Sequence, residues 1–74
     1  MADLTLDATG LKCPMPVLRA RRALKSMASG AVLKLLADDP ASAKDVPAFC
    51  EMTGDTLENT AHDGETLIFH IRKA

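Results

Sequence analysis

A two-layer α/β sandwich of chain order β-α-β-α-β-β is what the 74 residues predict. Three observations lead there. Apolar residues alternate with polar ones near the start, in the middle and twice near the end. Helical spacing takes over in the two stretches between the first three of these segments. The length suits one domain, residues 1–74, with no linker, internal repeat or low-complexity tract to divide it. The simplest packing is a mixed four-stranded sheet with both helices on one face, because the first crossover should be right-handed and parallel.

The elements follow in order. Leu4, Leu6 and Ala8 alternate with Thr5 and Asp7, a short strand that Thr9-Gly10 ends. After Cys13-Pro14-Met15-Pro16 the period changes. Val17, Ala20, Leu24, Met27 and Ala28 share one helical face, with Pro14 and Pro16 tolerable only in the first turn. Ser29-Gly30 supplies a stop signal. Residues 31–37, AVLKLLA, form the most apolar strand and should lie centrally. Asp38-Asp39-Pro40 reads as an acidic cap with Pro at the first helical position. Ala43, Val46, Cys50 and Thr53 share the second helical face, with Phe49 beside it and Gly54 as the stop. Pro47 either kinks this helix or separates a short turn from a second start. Residues 55–61 and 66–72 alternate, and Asp63-Gly64 between them is a hairpin signal. The outer sheet face would carry Thr5, Asp7, Lys34, Glu58, His70 and Arg72, interrupted by Val32, Leu36 and Ile68.

Composition narrows the function. The formal charge is -1, so no strong global field draws the chain to nucleic acid or anionic lipid, and stable nucleic-acid binding is not expected. No basic leader or membrane-length apolar run is present, so a reducing, cytoplasmic setting is expected. Two cysteines cannot staple a fold of this size, and His62 and His70 offer no local ligand spacing, so neither a metal nor a cofactor is expected. Phosphate-loop and dinucleotide fingerprints are absent. Charge is nevertheless uneven: residues 1–36 carry six bases and two acids, residues 37–74 three bases and eight acids. Four of the bases lie on the first helix, with Leu18 inside their stripe. Leu18, Arg19, Arg22 and Lys25 are therefore candidates for a docking surface with a charged rim.

The chemistry concentrates at Cys13, where the first loop feeds the first helix. A thiolate there gains from the helix N-terminal field, with Lys12 and Arg19 able to add to it, so the thiol pKa should fall. Pro14 and Pro16 stiffen the segment. No Cys-x-x-Cys is present, because position 16 is Pro. A single nucleophilic sulfur that hands something on fits better than thioredoxin-like exchange. Sulfane sulfur is the natural cargo, since a persulfide needs one thiol and no metal. Asp7 and Asp39 lie where strand ends and helix starts converge, and are candidate supporting groups. Gly10 should supply a special backbone angle. Cys50 is expected to pack in the core.

The Cys13-Pro14-Met15-Pro16 motif, within LDATGLKCPMPVLRARRAL, resembles the Cys-Pro-x-Pro signature of the TusA/SirA-like sulfur-carrier family. Asp7 and Gly10 match that family's Asp-x-x-Gly lead-in, Asp39-Pro40 its Asp-Pro, and Asp45-Val46-Pro47 its Asp-Ile-Pro segment. Cys50 matches its frequent second cysteine, and Ile71-Arg72-Lys73 its usual ending. The resemblance implies that Cys13 accepts a persulfide sulfur from a cysteine desulfurase or related donor and passes it to a downstream acceptor protein. It further implies service in tRNA thiolation, molybdenum cofactor supply, or thiosulfate and sulfur metabolism, where a thiosulfate transporter is a possible partner. Gly54-Asp55 stands where TusA proteins proper usually carry His, which points away from the tRNA branch. The competing readings are a protein-binding regulatory adaptor and a small RNA-binding module, both without sulfur transfer.

Overall fold

The computed structural model describes residues 2–74. The elements are β1 (Leu4–Asp7), α1 (Met15–Lys25), β2 (Val32–Ala37), α2 (Ser42–Thr53), β3 (Thr56–Asp63) and β4 (Thr66–Arg72). They build a four-stranded sheet of order β1-β2-β4-β3. β1 runs parallel to β2, which pairs antiparallel with β4, which pairs antiparallel with β3. The sheet is mixed and β2 lies inside it, as its near-continuous apolar run predicts. Both helices pack on one face.

That face holds the core. Leu33, Leu35, Ala37, Phe69 and Ile71 are fully buried, and Ala20, Leu24, Val46, Phe49 and Cys50 meet them from the helices. Cross-strand register explains why these strand residues act together: Leu33 faces Ile71, Leu35 faces Phe69 and Ala37 faces Leu67. On the outer face, Thr5, Lys34, His70 and Asn59 form one row across the four strands. Glu58 falls at a register shift in β3, and its carboxylate accepts both Nε–H and Nη2–H of Arg72, at 2.6 and 3.2 Å.

Several boundaries differ from the sequence reading. α1 stops at Lys25, not at Ser29-Gly30, and Ala28 is exposed. Bonds of the i→i−3 kind from Ser26 N–H and Met27 N–H tighten the last turn. The Ser26 hydroxyl also donates to Ala23 O, and Lys73 Nζ reaches across from the chain end to Met27 O at 2.8 Å. A local hydroxyl thus meets a carbonyl of the last turn, and a distant ammonium meets one just beyond it. Gly30 instead supplies a turn with φ +86 before β2.

α2 is continuous through Pro47. The donor that Pro47 lacks would have served Ala43, an exposed residue whose carbonyl water can reach. Ser42, Val46, Phe49 and Cys50 are buried at helical spacing, whereas Ala43 and Thr53 are exposed, so the inward face is rotated from the predicted one. The helix starts at Ser42, two residues after Pro40. Asp39 caps the turn before it rather than the helix, with Oδ1 accepting from Ala41 N–H.

The hairpin turn is also shifted by one residue. Asp63 pairs with Thr66, leaving Gly64-Glu65 as the two-residue loop, and only Gly64 has positive φ. Gly in the first central position is the type II′ requirement. Among the described residues, no helix is long and apolar enough to cross a membrane.

Candidate functional site

The site forms where the loop from β1 to α1 meets the loop from β2 to α2. Parallel pairing of β1 with β2 brings both crossover loops to the same end of the sheet. Carboxylates of the second loop then hold the backbone of the first. Asp38 Oδ1 accepts from Gly10 N–H at 2.9 Å, and Asp39 Oδ2 accepts from Cys13 N–H at 2.6 Å. Gly10 needs its φ of +82 to make the bend between them. Hydrogen bonds from Cys13 N–H and Ala41 N–H, with Lys12 nearby, hold the Asp39 carboxyl below its ordinary pKa.

Cys13 is exposed at the mouth of this arrangement. Pro14 flanks α1 as its N-cap and Pro16 occupies its first turn, fully buried. The Cys13–Pro14 peptide bond is cis. The thiol donates to Asp45 Oδ2 on α2, at 2.7 Å. This hydrogen bond raises the thiol pKa, and desolvation and the negative charges of Asp45 and Asp39 act in the same direction. The expected depression by the helix terminus is therefore overturned. Pro16 removes one of the N–H donors that a helix start offers, and two carboxylates outweigh the remaining field.

A groove of about 310 Å³ runs from Cys13 between the two helices. Pro14, Val17 and Leu18 line it from α1, and Ala48, Phe49 and Met52 from α2, with Arg21 at its edge. Leu18 and Met52 are the exposed apolar groups here, at 47% and 87%.

The structure gathers some of the expected residues and separates others. Gly10, Lys12, Cys13, Pro14, Pro16 and Asp39 come together. Asp7 does not join them: its Oδ1 accepts from the N–H and hydroxyl of Thr9, closing its own loop and lowering its pKa. Leu18 lies beside Cys13. Arg19 and Arg22 line a different depression with Leu6 and Ala23, and Lys25 a third with Leu24 and Lys73. Asp45, Asp38, Arg21 and Met52 were not singled out as site residues. The signal for Asp45 was its place in the Asp-Val-Pro segment, but a 32-residue separation hid its contact with Cys13. Cys50 is 4% exposed, and burial with the nearby Asp55 charge pushes its thiol up to about 11.

Known proteins resemble this chain in sequence and in fold. The family model described as "Sulfurtransferase TusA" matches residues 4–73. The chain is 46% identical over 72 residues to a sulfur carrier protein TusA from Allochromatium vinosum, covering 97% of this chain and 95% of that one. It is 42% identical over 71 residues to a sulfur carrier protein TusA from Pseudomonas entomophila, covering 96% and 89%. The crystal structure of a SirA-like protein from Desulfitobacterium hafniense superposes with a TM-score of 0.81 at 31% identity, covering 93% of this chain and 95% of that one. With the family model matched along nearly its whole length, the chain belongs to the TusA sulfurtransferase family.

Proposed function

We infer that this chain is a sulfur carrier, a single domain in which Cys13 accepts a sulfane sulfur as a persulfide and passes it to a downstream acceptor. The observation that carries this reading is one exposed thiol on a Cys-Pro-Met-Pro segment, its backbone fixed by Asp39, in a chain of this family. The buried Cys50 leaves no second reactive sulfur to divert the cargo into an internal disulfide. The chain thus acts as a sulfurtransferase component, loaded by a cysteine desulfurase or another persulfide donor and unloaded by an acceptor protein. Among the pathways the family serves, Gly54-Asp55 favours molybdenum cofactor supply or thiosulfate and sulfur metabolism, with a thiosulfate transporter as one partner, over tRNA thiolation. A cytoplasmic, reducing setting suits two free thiols.

Docking is carried by the groove beside Cys13, with Leu18 and Met52 as apolar anchors and Arg21 as the charged rim. Asp39 and Asp45 beside the sulfur would repel phosphates, which disfavours RNA at this surface. Incubation with a cysteine desulfurase and free cysteine should add the mass of one sulfur atom to the peptide containing Cys13. Cys13→Ala should gain nothing. Equal mass gain in the variant would refute the assignment.

A further inference from the structure

Asp45 lies outside both the motif around Cys13 and the loop that carries it, yet it is the acceptor of the Cys13 thiol proton. We propose that Asp45 is the proton-handling residue of sulfur transfer: it holds the Cys13 proton at rest, takes it as the sulfur attacks, and returns it when the sulfur leaves. The proposal rests on the sulfur-carrier reading above.

The two carboxylates beside Cys13 divide the work. Both oxygens of Asp39 are engaged by backbone donors, Oδ2 by Cys13 N–H and Oδ1 by Ala41 N–H. Asp39 is thereby a structural clamp. Among the described residues, the Cys13 thiol is the one hydrogen-bond partner of the Asp45 carboxylate. At 2.7 Å it lies within the reach required of a general base. The other charge acting on the sulfur is Asp39 from the β2–α2 loop; Lys12 lies near Asp39, and Arg21 of α1 lines the same groove as Cys13. The net effect of the neighbours keeps the resting sulfur as a thiol. A thiol is a weak nucleophile, so attack needs a proton acceptor in place.

The step balances without an external oxidant or reductant. The Cys13 S–H bond breaks and its proton passes to Asp45. Cys13 Sγ bonds to the outer sulfur of the donor persulfide, and the donor S–S bond breaks with its electron pair on the departing sulfur. That thiolate takes the proton from Asp45, giving a donor thiol and a Cys13 persulfide. In unloading, Asp45 receives the acceptor's thiol proton. The acceptor sulfur bonds to the outer sulfur, and Cys13 leaves with the electron pair and is reprotonated by Asp45.

Cysteine persulfide is the test donor, because a small molecule removes docking from the comparison. Loading of Cys13 and its alkylation by neutral iodoacetamide are measured between about pH 6 and 8 for wild type, Asp45→Asn and Asp45→Glu. Asp45→Asn should alkylate several-fold faster than wild type, yet its loading should climb about tenfold per pH unit with its thiolate fraction. Wild-type loading should depend on pH much less steeply, and Asp45→Glu should restore part of that flatness. Ionisation of the donor is common to all three and cancels. Should Asp45→Asn fail to fold by far-ultraviolet circular dichroism, Asp45→Ala takes its place. Parallel pH profiles, with the variant faster throughout, would overturn the role of Asp45 while leaving the carrier intact. Wild type that takes up no sulfur at any pH would overturn the carrier reading, and this proposal with it.

Discussion

Cys50 should be chemically silent in the folded chain, and the size of that silence follows from its surroundings. Its side chain is 4% exposed, packed with Val46 and Phe49 on the inward face of α2. Burial and the Asp55 charge push the thiol from 9.0 to about 11. At pH 8 about one molecule in a thousand then carries the thiolate, against about one in ten for a thiol at its ordinary value. Ionisation alone therefore slows alkylation about a hundredfold relative to the unfolded chain, before restricted access is counted. The assay is iodoacetamide labelling at pH 8 in buffer and in urea, read on the two cysteine peptides by mass spectrometry. Cys13, exposed, should label far faster than Cys50 in buffer and at a similar rate in urea. A native Cys50 rate within tenfold of its unfolded rate would refute the reasoning. The sign of the pH effect on stability follows too. The unfolded thiol ionises first, so stability linked to Cys50 is complete below about pH 9 and falls as pH rises toward 11.

Other outcomes follow from single residues. Phe69→Ala, in a fully buried position, should cost about 3–5 kcal/mol, out of about 4–11 kcal/mol for a chain of this length. An unchanged urea midpoint would contradict the core assignment. Gly54→Ala forces a side chain into φ +84 and should cost about 1–2 kcal/mol, lowering Tm by several degrees; an unchanged Tm would show that this turn relaxes. Arg21→Glu should slow loading from a protein donor more than Arg19→Glu with Arg22→Glu, because only Arg21 borders the Cys13 groove. The reverse order would move docking to the depression beside Leu6.

Alternation and helical spacing made the sheet, the two helices and the inner position of β2 legible, because each of those signals is local. Element ends were less so. The carbonyl of Met27, just past the end of α1, is met by Lys73, 46 residues away. The rotation of α2 depends on Ser42, a small polar residue that no apolar pattern marks as buried. At the site, Cys13 was legible from its prolines and from the absence of a nearby second cysteine. Its electrostatics were not. A helix start suggests an acidified thiol, but the carboxylates that reverse the sign arrive from residues 39 and 45 through parallel pairing of β1 and β2. The basic stripe of α1 was legible as a stripe, yet Arg19 and Arg22 line one depression, Arg21 and Lys25 another, and of the four Arg21 alone lines the groove of Cys13.

A carrier must release what it accepts, and a single-turnover chase measures both halves at once. The chain is loaded with isotopically heavy sulfur from a persulfide donor, separated from that donor, and mixed with an acceptor thiol under anaerobic conditions. The heavy sulfur should sit on Cys13 alone after loading, then leave Cys13 and reach the acceptor in equal amount. Heavy sulfur on Cys50, or a Cys13 adduct that no acceptor can remove, would contradict a carrier built on one exposed thiol.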